Sequence, residues 1–336
     1  MFIVESYPIA IVFCIITMLC WGSWANTQKL AAGRWRYELF YWDYVIGIFL
    51  FSLVAVFTLG STGSQGRPFL EDLHQASGAN IASALLGGVI FNLANILLSS
   101  AIAIAGMSVA FPVGIGMALV IGVMVNYANY QKGDPLLLFA GVALVSLAII
   151  LNAIAYSKKS ITKTSQNKGG AKGLILSIIA GLLMSFFYRF VASSMDLNDF
   201  VHPAAEKMTP YTASLIFATG ILLSNILFNT IMMAKPLEGP PIGYAEYFKG
   251  RLGLHLTGIL GGCIWALGNL FNLIAAGKAG PAISYGLGQG ATLVAAIWGV
   301  LIWKEFGAST PAVKKLIAAM FILFVAGLAL VIAAGV

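Results

Sequence analysis

Apolar runs of about 20 residues follow one another along the whole of this 336-residue chain, with few breaks. A helix rises 1.5 Å per residue, so a run of this length spans a hydrocarbon layer of about 30 Å. Ten runs are expected to do so. They are Pro8–Thr27, Tyr41–Leu59, Ile81–Ala105, Met107–Ala128, Leu136–Tyr156, Lys172–Met195, Tyr211–Met233, Leu252–Ala276, Pro281–Trp303 and Val313–Ala334. Only 9% of residues are charged and 60% are hydrophobic, whereas a soluble domain carries about 25% charged residues. The chain has too little polar surface to face water on all sides. The expected fold class is an all-α integral membrane protein with ten transmembrane helices, its solvent a lipid bilayer. The first run has no cationic leader and no small-residue cleavage site after it, so it reads as a retained helix.

The linkers are short, with one informative exception. Ser157–Gly170 reads SKKSITKTSQNKGG and divides the runs five and five. Three parts are expected: an N-terminal five-helix unit over 1–156, a polar loop over 157–171 and a C-terminal five-helix unit over 172–336. An internal repeat supports the division. A shift of 174 positions lays Gly87–Gly133 on Gly261–Gly307 without a gap. It pairs Gly87 with Gly261, Gly88 with Gly262, Asn95 with Asn269, Gly114 with Gly288, and Phe111 with Tyr285. An odd number of spans per unit makes the second unit enter from the opposite side. The units are then inverted repeats, an arrangement common in secondary transporters, with the solute near the midplane between them.

Charge sets the orientation. Linkers after odd-numbered runs hold Lys29, Arg34, Arg36, Lys158, Lys159, Lys163, Lys168, Lys172, Lys235, Lys249, Arg251, Lys304, Lys314 and Lys315. Those after even-numbered runs hold only Arg67, Lys132, Lys207 and Lys278. Positive residues accumulate on the cytoplasmic side, so the central loop is expected in the cytoplasm of a multi-pass protein of the cell membrane (the inner membrane in a Gram-negative source). The net charge of +7 therefore belongs to topology and does not imply a nucleic-acid partner.

Polar residues within the runs are costly in lipid and mark cavities or helix contacts. Trp21, Trp24 and Gln28 share a face of the first run, with Asn26 beside them. Asn92, Asn95 and Ser99 do so on the third, Trp265, Asn269 and Asn272 on the eighth, and Tyr285, Gln289 and Thr292 on the ninth. Tyr188 and Arg189 lie in the sixth, with Arg189 expected deep in the membrane. The expected solute-binding set is Trp21, Trp24, Asn26, Asn92, Asn95, Tyr188, Arg189, Trp265, Asn269, Tyr285 and Gln289. Amides both donate and accept, and aromatic faces stack on planar or ring-shaped molecules. Such a cavity suits an uncharged solute rich in hydrogen-bonding groups. Asn and Ser on membrane helices also brace neighbouring helices, and Trp21 and Trp24 also suit an interfacial belt. Asp43, about one turn into the second run, and Glu5 are the expected proton-coupling carboxylates.

Other functions find little support. Cys14, Cys20 and Cys263 have no metal or disulfide spacing, and with three histidines no metal site or other cofactor is expected. No carboxylate pair, metal cluster or activated nucleophile points to an enzyme. A channel more often builds its pore from oligomeric symmetry. A carrier of a small solute, monomeric or homodimeric and with protons as a second partner, is the expectation.

Ten spans in a five-plus-five duplication, with fourth and ninth helices rich in small residues, resemble the drug/metabolite transporter superfamily. Within it, Met1–Ser6, Trp21-Gly-Ser-Trp24, Tyr41-Trp-Asp43-Tyr44 and Thr58-Leu-Gly60 resemble the ureide permease family. That resemblance implies transport of a ureide or nucleobase such as allantoin or uracil, coupled to protons. The short Ser157–Gly170 loop carries no phosphate-binding glycine pattern, unlike family members with a long nucleotide-motif-bearing central loop. Glucose and rhamnose permeases share the architecture and imply a sugar as the alternative. A metabolite or drug exporter of the same superfamily is the third.

Overall fold

The computed structural model describes residues 1–105, 107–160, 170–237, 239–302, 304 and 309–336. Among them the chain is helical: α1 (Tyr7–Ser23), α2 (Ala25–Ala31), α3 (Tyr37–Phe57), α4 (Phe69–Gln75), α5 (Gly78–Ala105), α6 (Met107–Asn129), α7 (Pro135–Ser160), α8 (Gly170–Ser193), α9 (Pro210–Ala234), α10 (Tyr244–Phe248), α11 (Leu252–Ala279), α12 (Pro281–Gln289), α13 (Ala291–Ile297), a π-turn at Trp298–Ile302, and α14 (Pro311–Ala333). Nine helices among the described residues are long and apolar enough to cross a membrane. The expected span Met107–Ala128 falls on α6, whose apolar stretch Val113–Asn129 is shorter than those nine. Gly106, at the expected hairpin between the third and fourth runs, and residues 161–169 of the central loop lie outside the described residues.

Local chemistry sets several boundaries. A proline sits in the first turn of α1, α9, α12 and α14, where its missing N–H is no loss and its fixed φ suits a helix. Gly280 alone separates α11 from α12 and adopts φ 83°. That left-handed backbone favours glycine, and the hairpin turns there.

Two expected single helices are interrupted. The first run breaks at Trp24 into α1 and α2, and the Thr27 hydroxyl donates to Trp24 O at 2.7 Å. The ninth breaks at Gly290 between α12 and α13 and continues as the π-turn. The short helices α4 and α10 lie in linkers and were not expected.

α5 packs on α8 and α9, α11 on α1 and α3, α6 on α8 and α12, α1 on α12 and α13, α7 on α14, and α3 on α9. At one end of the bundle the Tyr7 hydroxyl donates to Ile332 O at 2.5 Å and Asp134 N to Ala334 O at 2.6 Å. Arg67 reaches Pro203 O there, at 2.5 Å. At the other end Arg36 donates to Pro240 O at 2.6 Å and Lys172 to Leu237 O at 2.7 Å. The chain thus starts α1 at the end where it finishes α14.

Candidate functional site

The helix breaks shape the centre of the bundle. Trp21 and Trp24 lie at the end of α1, and Gln289 ends α12. They face a small cavity, about 40 Å³, with Phe91, Asn95 and Leu98 of α5, Ile115 of α6, Met184 and Phe187 of α8, Trp265 of α11 and Ala291 of α13. Its walls are aromatic. The Trp21 and Trp265 rings stack with centroids 5.7 Å apart and planes 8° apart. Phe91 lies 4.3 Å from Trp265 and meets Phe187 edge-on at 5.1 Å. A space of this size holds a few waters, so a larger solute enters only as the rings part.

Three polar residues line this apolar shell. Among the described residues, Trp21 Nε1 is buried without a hydrogen-bond partner, on the edge of the ring next to Gly268. The Gln289 side chain is 3% exposed, and no side-chain hydrogen bond of it is found among the described residues. Asn95 Nδ2 donates to the Tyr41 hydroxyl at 3.3 Å. A buried donor without a partner costs roughly 1–3 kcal/mol, so a solute that accepts from Trp21 relieves a cost already present in the fold.

Of the residues expected from sequence, Trp21, Trp24, Asn95, Trp265 and Gln289 line this cavity. The others lie elsewhere. Asn92 Oδ1 accepts from the Tyr41 hydroxyl at 3.0 Å and its Nδ2 donates to Ser224 Oγ at 2.9 Å, tying α5 to α3 and α9. Tyr188 shares a hydrogen bond with Ser284 at 3.0 Å. Tyr285 donates to Ala118 O at 3.2 Å and Met184 O at 3.1 Å. Both tyrosines are fully buried and bind helix to helix. Asn269 is buried on α11, with its amide oxygen unpartnered among the described residues. Asn26 is half-buried, and its amide donates to Ser23 O at 3.0 Å.

Arg189 corrects the expectation most clearly. It lies four residues before the end of α8, exposed, and lines a separate pocket with Asn126, Tyr130, Asp196 and Lys207. Glu5 is exposed too, ahead of α1, and accepts from Gln65 Nε2 at 2.7 Å. It is not inside a span.

Asp43 is 1% exposed in the second turn of α3. Its Oδ2 accepts from Trp35 Nε1 at 3.1 Å. Its Oδ1 accepts from the Tyr247 hydroxyl of α10 at 2.6 Å and lies 2.8 Å from His255 Nδ1 of α11. Burial, and then the Asp43 carboxylate, push the Tyr247 phenol up. Sequence reasoning missed this cluster. His255 stands alone at the head of its run, 212 positions from Asp43. The one available signal was an ionisable residue inside a span.

Helices long and apolar enough to cross a membrane, packed around a buried cavity of aromatic rings and amides, mark a multi-pass membrane protein. The ureide permease family matches residues 40–172 and 156–334, and the chain belongs to that family. It is a transporter of small solutes and not an enzyme. Ureide permease 1 and ureide permease 2 of Arabidopsis thaliana are each 24% identical to it, over 99% of this chain and 98% of theirs. A putative sugar uptake protein of Streptococcus pyogenes is 24% identical over 77% of this chain and 89% of its own. One solved crystal structure shares the fold, with a TM-score of 0.59 at 14% identity over 96% of each chain.

Proposed function

We propose that this permease carries a ureide or nucleobase across the cell membrane by alternating access, coupled to protons. The solute binds between Trp21, Trp265 and Gln289. The observation that carries this reading is that, among the described residues, Trp21 Nε1 is buried without a partner and the Gln289 side chain makes no hydrogen bond, both residues lining an aromatic cavity. A ureide or nucleobase is planar over much of its surface and dense in N–H and C=O groups. It accepts from the indole, exchanges hydrogen bonds with the amides and stacks on the rings. Asp43 is the carboxylate for coupling, because it is buried and spans α3, α10 and α11. Glu5 is too exposed for that role.

Ten crossings in two inverted units fit the packing. An even number of crossings is supported by α1 starting at the end of the bundle where α14 finishes, and in this reading α6 is the tenth crossing beside the nine. The helix contacts also interchange under the repeat. The pairing of α5 with α8 corresponds to that of α11 with α1, and α5 with α9 to α11 with α3. This is the pattern that two inverted units of the drug/metabolite transporter type produce, and it supplies two packings, each open to one side. Lysine and arginine bias puts the end that carries Arg36 and Lys172 in the cytoplasm.

A sugar is the second reading, favoured by the streptococcal relative's name and by the same mix of rings and amides. A thermal-shift screen of purified protein separates the two. A ligand that binds only the folded state raises Tm by mass action. Uracil or allantoin is expected to shift Tm where glucose and rhamnose do not. A shift with a hexose alone reverses the assignment.

A further inference from the structure

The Asp43 cluster sits at a junction of four segments. Trp35 comes from the α2–α3 linker, Asp43 from α3, Tyr247 from α10 and His255 from the head of α11. The other three side chains converge on the Asp43 carboxylate. Its three contacts hold α10 across the ends of α3 and α11. The indole ring of Trp35 lies 5.0 Å from the imidazole, edge to face, and Tyr247 lies 4.8 Å from it in the same manner. Asp43 is sealed at 1% exposure, whereas the His255 side chain keeps 19%. The imidazole is therefore the route by which a proton reaches the pair from water.

The other charged groups around it are engaged or peripheral. Arg36 pairs with Glu38 at the start of α3, at 2.5 Å. Glu246 and Lys249 pair at 2.9 Å with both side chains exposed. Arg251 caps α11 one turn before His255 and is exposed. Lys29 of α2 lies in a pocket with Trp35 and Arg36. α5 and α9 also pack on α3 and contain no charged residue. The tyrosines nearby on α3 are Tyr37, Tyr41 and Tyr44, and on α10 Tyr244; α11 adds Cys263.

The opposite end is fastened by a similar device with different chemistry. Asp72 of α4 accepts from Thr209 N, at the head of α9, at 2.8 Å, and from Arg67 at 3.2 Å. Each short linker helix thus contributes a group that clamps the head of the second long helix of the other half: α4 to α9, and α10 to α3. A guanidinium keeps its proton at any physiological pH, whereas an imidazole titrates in that range.

We propose that the Asp43–His255 pair binds the transported proton, and that Trp35 and Tyr247 make it the latch of the Arg36 end. The proposal rests on the proton-coupled reading above. One proton from water adds to the neutral imidazole and takes the pair from a net charge of −1 to zero. Release returns the proton to water and leaves the carboxylate with a neutral imidazole. A buried net charge is unfavourable, so the deprotonated latch loosens, water enters and α10 lifts from α3. The proton is held while this end is shut and leaves as it opens.

The test has a solute-free arm and a transport arm. Hydrogen exchange over residues 244–256 is measured from pH 5.5 to 8.5 and corrected for the intrinsic pH dependence of exchange. Opening in the wild type is expected to rise with pH over this window, and to be flat in His255→Gln. Tyr247→Phe keeps the pair, so it is expected to exchange faster throughout and to retain the step. A His255→Gln profile that follows the wild type overturns the proposal, as does loss of the step in Tyr247→Phe. In proteoliposomes with labelled uracil, allantoin and glucose as probes, an inward acid gradient is expected to drive accumulation by the wild type. In His255→Gln that accumulation is lost; undiminished accumulation overturns the proposal. A wild type that carries none of the three probes overturns the solute reading instead, and the exchange arm still decides the latch.

Discussion

Trp21 of α1 and Trp265 of α11 lie face to face across the central cavity, with ring centroids 5.7 Å apart and planes within 8° of parallel. The two rings occupy the space that a planar solute needs, and each is at least nine-tenths buried. In the proposed reading a planar solute replaces the stack of the two tryptophans by a stack on itself, and the gain comes from hydrogen bonds that the rings do not make to each other.

That arrangement separates affinity from stability at Trp21. Phe at this position keeps a ring and removes the unpartnered Nε1–H. Trp21→Phe is expected to weaken solute binding about threefold to tenfold, the worth of one hydrogen bond of 0.5–1.5 kcal/mol, with no drop in Tm. Calorimetric titration beside thermal unfolding measures both. A fall in Tm with unchanged affinity contradicts the assignment.

Gln289 follows the same logic from the other wall. Among the described residues its amide makes no side-chain hydrogen bond, so Gln289→Ala is expected to leave the fold intact and to raise the solute Kd by tenfold or more, as loss of paired amide contacts does.

Asn92 is expected to behave in the opposite way. Its amide joins the Tyr41 hydroxyl to Ser224 across three helices. Asn92→Ala removes both bonds, although Asn95 still reaches the Tyr41 hydroxyl and Ser224 still bonds Gly220 O, and is expected to destabilise the protein by about 1–3 kcal/mol, two hydrogen bonds of about 0.5–1.5 kcal/mol each. Thermal unfolding reads the loss, and the affinity of the remaining folded protein is expected to change less than twofold, within about 0.4 kcal/mol.

Gly262 of α11 packs directly on the backbone of α3 at Tyr44 and Ile48, and Gly88 of α5 packs in the same way on α9 at Phe217 and Ile221. A methyl group at either position meets backbone that has no room to yield. Gly262→Ala and Gly88→Ala are each expected to cost about 1–3 kcal/mol, the usual penalty of overpacking. Similar Tm losses at the two sites are the signature of a duplicated contact; a loss at only one contradicts it.

The α4 latch gives a pH dependence with a definite sign. Burial raises the Asp72 carboxyl above its ordinary value, against the hydrogen bonds from Thr212 and Thr209 and the charge of Arg67. The folded state therefore binds the proton more tightly than the unfolded chain. Its contribution to stability is full below about pH 3.9, the ordinary aspartate value, and is lost as pH rises through the higher folded value. Asp72→Asn is expected to remove that decline, so its Tm relative to wild type rises with pH through the acid range. A difference independent of pH contradicts this.

The sequence made the long helices legible because a bilayer demands about 20 apolar residues per crossing. Tyr211–Met233 and Pro210–Ala234 differ by a single residue at each end. The breaks at Trp24 and Gly290 were not legible, since each falls inside a run whose mean hydropathy over about 20 residues still suits a crossing, despite the polar residues Asn26–Lys29 and Gln289 beside the interruptions. α4 and α10 are too short for a periodic signal. The cavity was half legible. Trp21, Trp24, Asn95, Trp265 and Gln289 stand out as polar or aromatic residues within apolar runs, but so do Asn92, Tyr188 and Tyr285, and only packing tells a lining residue from a brace. Arg189 reads as deep until α8 is seen to end four residues later. His255 gave no local signal, because its partner comes from a helix far away in the chain.

Counterflow in proteoliposomes tests the reading as a whole. Vesicles loaded with unlabelled uracil or allantoin are placed in the labelled compound, and uptake is followed for wild type and Gln289→Ala. Saturable counterflow of uracil or allantoin by the wild type, with a raised half-saturation concentration in Gln289→Ala, is the expected result. Flux that never saturates, or that saturates only with a hexose, contradicts a ureide or nucleobase carrier built on this cavity.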